Sequence, residues 1–240
     1  MKSKKTFGTD YFGIHESRYQ NLRKIGSEGW GGAEHAHRIN RISEIVSGVL
    51  KKVSIPSAAK FLDLGCGDGS LAILLGALGY EVNGIDVSPT AIQWAKDKAR
   101  EQKVSATFTV GSVLKLKYPS GHFDVVIDSA CAHCIIGNDR SIYFNEVMNV
   151  LRQNGIFILM CLCGDPTEEE LVKYFDPQTR CIVKNGVAGR YYGKPEDILN
   201  EIQTAGLHVN HWAVINNSTA NQNELFLTAI KQIGGGTETP

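Results

Sequence analysis

Residues 61–69 read FLDLGCGDG, a largely apolar segment that runs into a glycine-rich turn. The run from Lys60 to Leu64 is typical of a short buried β-strand, and the leucine spacing over residues 71–78 predicts a helix directly after the turn. Glycines in such a turn let the backbone bend tightly and let a ligand approach the main chain. The segment therefore predicts a nucleotide-like ligand at the carboxyl end of a strand.

Strand-like and helix-like segments alternate from residue 60 onward, which predicts a parallel α/β sheet. The polar link at residues 216–223 predicts that the last two strands form an antiparallel hairpin. We therefore expect a seven-stranded, mostly parallel sheet with one antiparallel strand near the C-terminus and helices on both faces. The strands after the first are predicted at 81–86, 106–110, 123–128, 156–161, about 207–215 and about 224–231.

The chain divides into three parts by composition. Residues 1–33 show no clear periodicity and are predicted to be an irregular segment that acts as a lid. Residues 34–233 hold the strands and helices of the predicted domain, which opens with a helix whose apolar positions are spaced 3 and 4 apart. Residues 234–240 begin with three glycines and are predicted to be a flexible tail.

The composition of the chain limits the classes of partner that we expect. Lys and Arg number 25, as do Asp and Glu, so the net charge is zero and we expect no nucleic-acid partner. No apolar run reaches the ~20 residues that span a bilayer, and no apolar stretch follows the basic N-terminus, so we expect no membrane partner. We expect a cytoplasmic monomer or homodimer whose six cysteines are reduced.

Two carboxylates distinguish the ligand from a dinucleotide. The glycine spacing is G-x-G-x-G rather than G-x-G-x-x-G, and Asp63 stands two residues before Gly65. A carboxylate so close to a pyrophosphate would repel it, whereas a ligand with a cationic amine and a sulfonium suits it. Asp86 ends the second predicted strand, where its carboxylate can accept hydrogen bonds from two ribose hydroxyls.

These motifs resemble the class I methyltransferases that depend on S-adenosylmethionine (SAM), and the resemblance covers roughly residues 35–231. It includes residues 62–69, 84–88, 123–126 and 151–156. The resemblance implies a Rossmann-like fold, SAM as cofactor and S-adenosylhomocysteine (SAH) as product. The cofactor-binding residues that it implies are Asp63, Gly65, Cys66, Gly67, Gly69, Asp86, Val87, Ser112, Val113, Asp128, Ser129 and Trp30.

The loop after the fourth strand, residues 128–134, faces the transferred methyl group in that family. It lacks the Asn/Asp-Pro-Pro-Tyr motif of many DNA and protein methyltransferases, and it is more similar to the small-molecule branch, such as the thiopurine and tellurite-resistance enzymes. We therefore expect a small-molecule acceptor, methylated on N, O or S. The alternatives are a protein or RNA methyltransferase and a non-catalytic SAM-binding protein.

Candidate catalytic residues are Asp128 and His133, either of which could position the acceptor. His133 could also take its proton, because imidazole titrates near neutral pH. The alternative is that His133 begins the next helix and packs there. Tyr11, Tyr19, His133 and Arg190 are the candidate acceptor-binding residues, with Arg190 suited to a carboxylate.

Four cysteines raise the question of a metal site. Cys131 and Cys134 follow the fourth strand, and Cys161 and Cys163 lie on the fifth, which is its neighbour in this fold. Thiolates at such spacing bind soft metals, but cysteine is also commonly buried as a small apolar residue. We expect no bound metal, because the chemistry of methyl transfer requires none.

Overall fold

The computed structural model describes residues 8–217 and 222–232. The predicted flexible tail and the first seven residues of the predicted lid lie outside this range. The helices are α1 (Tyr11–Lys24), α2 (His35–Leu50), α3 (Ser70–Ala77), α4 (Pro89–Glu101), α5 (Asp139–Val150), α6 (Glu169–Val172) and α7 (Pro195–Thr204). The strands are β1 (Lys60–Leu64), β2 (Glu81–Asp86), β3 (Thr107–Val110), β4 (Phe123–Asp128), β5 (Leu151–Leu162), β6 (Phe175–Asp176), β7 (Cys181–Lys184), β8 (Val187–Tyr191), β9 (Leu207–Asn217) and β10 (Gln222–Lys231).

Seven strands form the main sheet in the order β3-β2-β1-β4-β5-β10-β9. β1 pairs in parallel with both β2 and β4, and β10 runs antiparallel to both of its neighbours. The strand order reverses direction at β1 and β4, which is the place where ligands bind in open α/β sheets. The predicted fold class is confirmed, including its single antiparallel strand.

Helices cover both faces of the sheet, and alternate residues of β1 point to opposite sides. Phe61 packs with apolar residues of α2, α3 and α4, whereas Leu62 and Leu64 pack with residues of α5 and α7. All three side chains are almost completely buried. Because helices pack on both faces of β1, the carboxyl end of this strand is held in place. The position of the glycine-rich turn that follows is fixed by the same packing.

The sequence predicted an irregular N-terminal segment, and this prediction is wrong. The segment contains α1, a helix of 14 residues that begins at Tyr11 and is capped by Asp10, whose carboxylate accepts a hydrogen bond from the Gly13 N–H at 2.7 Å. Only Tyr19 and Leu22 of this helix are buried, where they pack with Trp94 of α4. Two buried residues give no recognisable apolar stripe, which is why the helix was missed.

A second, three-stranded sheet, β6-β7-β8, was also not predicted. Its last two strands join through Asn185-Gly186, both with positive φ, which is a typical signal for a tight hairpin turn. Gly8 pairs with the edge of β8, donating to the Gly186 carbonyl and accepting from the Ala188 N–H, both at 3.0 Å. The hairpin and the start of the chain are thereby joined above the main sheet.

Among the described residues, none of the helices has the length and apolar character needed to cross a membrane.

Arg140, on α5, is buried and ties three parts of the chain together. Its guanidinium contacts both carboxylate oxygens of Glu201 on α7, at 2.7 to 3.0 Å. Its Nη1 donates to the carbonyls of Ala132 and Ile135, at 2.6 and 3.2 Å. Arg140 therefore positions the turn at residues 132–135, which follows β4.

We expect Arg140→Ala to lower the free energy of unfolding by about 3–5 kcal/mol, because it leaves a carboxylate and two carbonyls without their buried cation. Urea unfolding followed by circular dichroism measures this. Arg100→Ala removes the same group from a side chain that is 74% exposed, so its effect should stay below about 1 kcal/mol. Equal effects of the two variants would contradict the assigned role of Arg140.

Candidate active site

A cavity opens at the carboxyl ends of β1, β2 and β4. The glycine-rich turn forms its floor, and residues of α1 and β8 cover it from the opposite side. Of the residues predicted to bind ligands, the cavity is lined by Asp63, Gly65, Cys66, Gly67, Asp86, Val87, Ser112, Val113, Ser129, Trp30, Tyr11, Tyr19, His133 and Arg190. The structure thus brings together residues that are up to 179 positions apart, from Tyr11 to Arg190.

The glycines of the turn do different things. Gly65 and Gly67 line the cavity with positive φ, and a Cβ on Gly67 would lie 2.2 Å from the Tyr19 hydroxyl. Gly69 does not line the cavity, contrary to its predicted role in binding the cofactor. A Cβ there would meet Ala95 and Phe108 at 2.7 and 2.8 Å, so its role is to let α3 pack closely on its neighbours.

Asp86 holds the turn in place. Its carboxylate accepts hydrogen bonds from the Gly67 N–H at 3.0 Å and from the Ser88 N–H at 2.9 Å. Burial raises the pKa of Asp86, while these two hydrogen bonds oppose the rise. Because Asp86 also lines the cavity, its remaining lone pairs are available to hydroxyl groups of a ligand.

Asp63 is a buried carboxylate that lacks a full set of partners. It is 2% exposed, and its Oδ1 has no hydrogen-bond partner. Burial raises the pKa of Asp63 well above its ordinary value, nearby Asp128 raises it further, and the charge of Arg38 lowers it. A cationic ligand group would supply the missing interaction, so this part of the cavity favours a positive charge.

Two polar clusters hold the N-terminal segment against the turn. Glu16 of α1 accepts hydrogen bonds from the hydroxyls of Ser88 and Thr90, both at 2.6 Å, at the start of α4. Asp68 in the turn binds Lys98 at 2.7 Å and faces His35 at 3.4 Å. These contacts make α1 part of the cavity wall, and Glu16, His35 and Asp68 were not anticipated from sequence because their partners are distant along the chain.

The other end of the floor is formed by the segment after β3. Ser112 and Val113 line the cavity as predicted, and Gly111 and Leu114 join them. The Gly111 N–H donates to the Asp86 carbonyl at 2.9 Å, which places this segment beside the end of β2. Val87 lines the same region, so an apolar slot lies between the two strand ends.

Asp128 lies behind the cavity wall rather than in it, so the structure does not support its predicted contacts with cofactor or acceptor. It is completely buried. One carboxylate oxygen accepts from the N–H groups of Ala130 and Cys131, at 3.0 and 2.7 Å, and the other accepts from the Tyr143 hydroxyl at 2.5 Å. Its lone pairs are used to shape the loop that carries His133.

His133 lies in a short 3-10 turn, Ala132–Cys134, and faces the cavity. It is 8% exposed, and its Nδ1 has no hydrogen-bond partner. Burial lowers the pKa of His133 well below its ordinary value, and the nearby charges of Arg190 and Arg38 lower it further. The imidazole is therefore neutral, with a nitrogen available to a ligand.

Tyr11 and Arg190 reach the cavity from opposite elements. The Tyr11 hydroxyl donates to Asp139 at 2.8 Å and accepts from the Ile136 N–H at 3.1 Å, so only its ring faces the cavity. Burial raises the pKa of Tyr11 to about 12. Arg190 lies near the end of β8, where its charge acts on both His133 and Cys134.

The four cysteines do not form one cluster. Cys131 and Cys134 line the cavity, whereas Cys161 and Cys163 pack in the apolar core around α5. Burial raises the pKa of all four thiols. Within residues 8–217 and 222–232, no group of three or more His, Cys, Asp or Glu side chains is arranged to hold a metal ion.

Comparison with known proteins identifies related sequences. A family model described as a methyltransferase domain matches residues 62–159. An uncharacterised methyltransferase of Schizosaccharomyces pombe is 42% identical over 98 residues, covering 41% of this chain and 68% of that protein. A ubiquinone biosynthesis O-methyltransferase of Pelagibacter ubique is 31% identical over 160 residues, covering 62% and 65%. The human EEF1A lysine methyltransferase 2 is 28% identical over 172 residues, covering 68% and 69%.

Solved structures share the fold. A Burkholderia thailandensis 1,6-didemethyltoxoflavin-N1-methyltransferase, with 1,6-didemethyltoxoflavin and SAH bound, matches with a TM-score of 0.68 and 18% identity, covering 92% of this chain and 87% of that one. The [4+2]-cyclase SpnF matches with a TM-score of 0.72 and 16% identity, covering 95% and 99%. At these identities the structures support the fold, and the reaction has to be argued from sequence relatives and from the site.

We expect Asp63→Asn to stabilise the ligand-free protein while weakening its binding of SAM. The pKa of Asp63 is raised in the folded state, so folding is penalised once pH rises above the unfolded-state value of roughly 4, and the variant removes this penalty. At pH 7 the Tm of the free variant should rise by about 2–4 °C, and this gain should shrink as pH falls toward 4.

Thermal unfolding with and without SAM at pH 5 and 7 tests both effects. The Tm increase that SAM causes in the wild type should be largely lost in Asp63→Asn. Asp97→Asn removes a carboxylate that forms ion pairs at the surface with Arg23 and Arg100, and it should keep the full SAM effect. A full SAM-induced shift in Asp63→Asn would show that this carboxylate does not face the bound ligand.

Gly67→Ala tests the contact between α1 and the turn. Alanine at positive φ costs about 1–2 kcal/mol, and the new Cβ would also collide with the Tyr19 hydroxyl. The variant should therefore lose more stability than Gly26→Ala, where φ is +69° and no atom lies within 4 Å of the added Cβ. Adding Tyr19→Phe should restore about 1 kcal/mol in a double-mutant cycle. Strict additivity would mean that Tyr19 is not seated on Gly67.

Proposed function

Because this chain belongs to the SAM-dependent methyltransferase family, we propose that it transfers the SAM methyl group to a small-molecule acceptor held between His133 and Arg190. The observation that carries this proposal is that α1 and β8 both line the end of the cavity that holds His133 and Arg190. Ile14 of α1 approaches Gly189 of β8, where an added Cβ would lie 3.8 Å from the isoleucine side chain. Space so enclosed supports a compact acceptor rather than a folded surface.

The residues present fit SAM as the cofactor. Bound SAM supplies a methyl group on a positively charged sulfur. Asp63, with its unpartnered oxygen, would hold the cationic end, and Gly65 and Gly67 leave room for the chain beside it. Asp86 would accept hydrogen bonds from ribose hydroxyls, and the slot between Val87 and Val113 would hold the adenine.

Further residues close the site against water. Trp30 is held by His35, whose Nδ1 lies 3.0 Å from the Trp30 carbonyl, and its ring stacks on His15 of α1 at 5.9 Å between centroids. We propose that residues 1–33 act as a lid. The structure describes residues 8–33 of this segment, which include α1 and Trp30. Exclusion of water strengthens the electrostatic contacts inside the site and prevents hydrolysis of the donor.

His133 is proposed to align the acceptor. As a neutral imidazole it can accept a hydrogen bond at Nδ1 from an O–H or N–H of the acceptor, if its own proton is on Nε2. Its lowered pKa makes it a weak base in the ligand-free cavity, so hydrogen bonding is its first role. If methylation requires the acceptor to lose a proton, Nδ1 of His133 is the group that would accept it.

A protein substrate is the second candidate, since the chain resembles EEF1A lysine methyltransferase 2 over about two thirds of that protein's length. A lysine acceptor enters as a cation and needs carboxylates or aromatic faces around its amine. This end of the cavity carries the cation of Arg190 and the imidazole of His133 beside the ring of Tyr11. The positive charge of Arg190 therefore favours a small-molecule acceptor over a lysine side chain.

The free state of the six cysteines supports a cytoplasmic location for the protein.

Product analysis tests the proposed function. Labelled SAM incubated with the protein and a panel of small phenols, amines and thiols should give label in the small-molecule fraction together with SAH. Label that appears only in added protein or RNA would overturn the small-molecule acceptor.

We expect His133→Ala to reduce kcat by about 10²-fold or more, because the acceptor loses its hydrogen-bond partner, while the Kd for SAM changes less than about threefold. His208→Ala, at an exposed position of β9, is the matched control and should leave both constants unchanged. Steady-state kinetics and isothermal titration measure the two quantities. Unchanged turnover in His133→Ala, with SAM binding intact, would remove His133 from the mechanism.

A further inference from the structure

The charged residues of the cavity are separated by sign, with carboxylates at one end and a cation at the other. Three carboxylates line it, Asp63, Asp68 and Asp86, and each lies in or next to the turns that follow β1 and β2. Their mutual proximity contributes to the raised pKa of Asp63. At the other end the charges that act on His133 are cationic, with Arg190 the strongest. A ligand pair that is positive at one end and negative at the other matches this division.

Arg190 differs from Arg140 and Arg180 in having no carboxylate partner. Arg180, on the same hairpin, donates to the carbonyls of Gly164 and Tyr192 and pairs with Asp165 at 2.8 Å. Arg140 is paired with Glu201. Across the part of the chain that the structure describes, Arg190 forms no ion pair with a carboxylate. Its charge is therefore available to a ligand.

A second observation at the same place also points to a ligand. His133 is more than nine-tenths buried, yet its Nδ1 has no partner and the side chain faces the cavity. A buried polar atom without a partner is costly unless a ligand or water satisfies it. Arg190 and His133 thus offer a cation and a hydrogen-bond acceptor side by side.

We propose that the acceptor carries a carboxylate bound by Arg190 and presents the group to be methylated toward Nδ1 of His133. This rests on the proposed function, since it names the class of small molecule that the same site takes. The planar guanidinium matches a carboxylate in shape and can bind it through two hydrogen bonds.

The rest of this end of the cavity defines the body of the acceptor. It is lined by the side chains of Ile14 and Ile135 and by the ring of Tyr11. Arg38, another cation that lines the cavity, is already engaged: its guanidinium donates to the Ser129 carbonyl at 2.8 Å, and its charge lowers the pKa of Asp63 as well as that of His133. One free cation and apolar walls suit a monoanionic acid with an apolar or aromatic body better than a diphosphate.

A bound carboxylate would also change His133. The charge of Arg190 is one cause of the lowered pKa of this imidazole. A carboxylate that neutralises Arg190 raises that pKa toward its ordinary value and makes His133 a stronger base. Proton transfer from the acceptor would then be coupled to its binding.

Binding measurements on the SAH-loaded protein test the proposal. The probes are two matched pairs, 3,4-dihydroxybenzoate with 3,4-dihydroxybenzamide and 4-aminobenzoate with 4-aminobenzamide, titrated by calorimetry. In each pair we expect the acid to bind at least about tenfold more tightly than the amide, since the loss of a charged hydrogen-bonded partner has at least this effect.

Variants assign the preference to Arg190. Arg190→Gln should remove the difference between acid and amide, and Arg190→Lys should retain part of it. Arg18→Gln, which removes an exposed charge from α1, should leave it unchanged. Each variant is first checked for an unchanged Tm and an unchanged Kd for SAH, and the wild-type comparison stands without any variant.

Equal affinity for acid and amide in the wild type, binding of neither, or an acid preference that survives in Arg190→Gln would overturn the carboxylate proposal. Its failure is distinguishable from that of the proposed function. If labelled SAM methylates neutral small molecules as well as acids, small-molecule transfer stands and the carboxylate proposal falls. If SAH does not bind, or label enters protein alone, the proposed function itself falls.

Discussion

The carboxylate of Asp86 is the interaction on which the site depends. It accepts the N–H groups of Gly67 and Ser88, and so joins the turn after β1 to the start of α4. The Ser88 hydroxyl then binds Glu16, which attaches α1. The glycine-rich turn on one side of the cavity and α1 on the other are therefore linked through Asp86. A buried carboxylate whose two oxygens both accept hydrogen bonds tolerates little displacement.

The same burial that makes this arrangement rigid also gives the cavity its electrical character. Asp63 and Asp86 lie at neighbouring strand ends, because β1 and β2 are parallel and end together. Neither has a cation bound to its carboxylate within the described residues, and burial raises the pKa of both, so a cationic ligand group would stabilise their charged forms. The cationic end, with Arg190, comes from β8, which lies outside the main sheet. The carboxylates and Arg190 thus reach the cavity from different sheets of the molecule.

Much of the candidate site could be predicted because its residues follow strand ends. Asp63, Gly67, Asp86 and Val113 reach the cavity as their positions after β1, β2 and β3 indicated. The same reasoning predicted Asp128 at the cavity, but Asp128 is not among the residues that line it. Its strand end is correct, but its carboxylate turns back onto the N–H groups of its own loop and the Tyr143 hydroxyl. Local pattern gives the position of a residue and not the direction of its side chain.

By itself the sequence determined the seven strands of the main sheet, its one antiparallel strand and the strand-end residues that line the cavity, because periodicity and strand-end motifs are local properties. Tertiary structure alone decided the roof and the acceptor end. α1 is stabilised by contacts with α4 that lie some 70 residues away, as between Glu16 and Thr90. Arg190 and His133 meet because the β7–β8 hairpin folds back over the turn after β4. Such contacts depend on distances in space, which no local pattern of residues records.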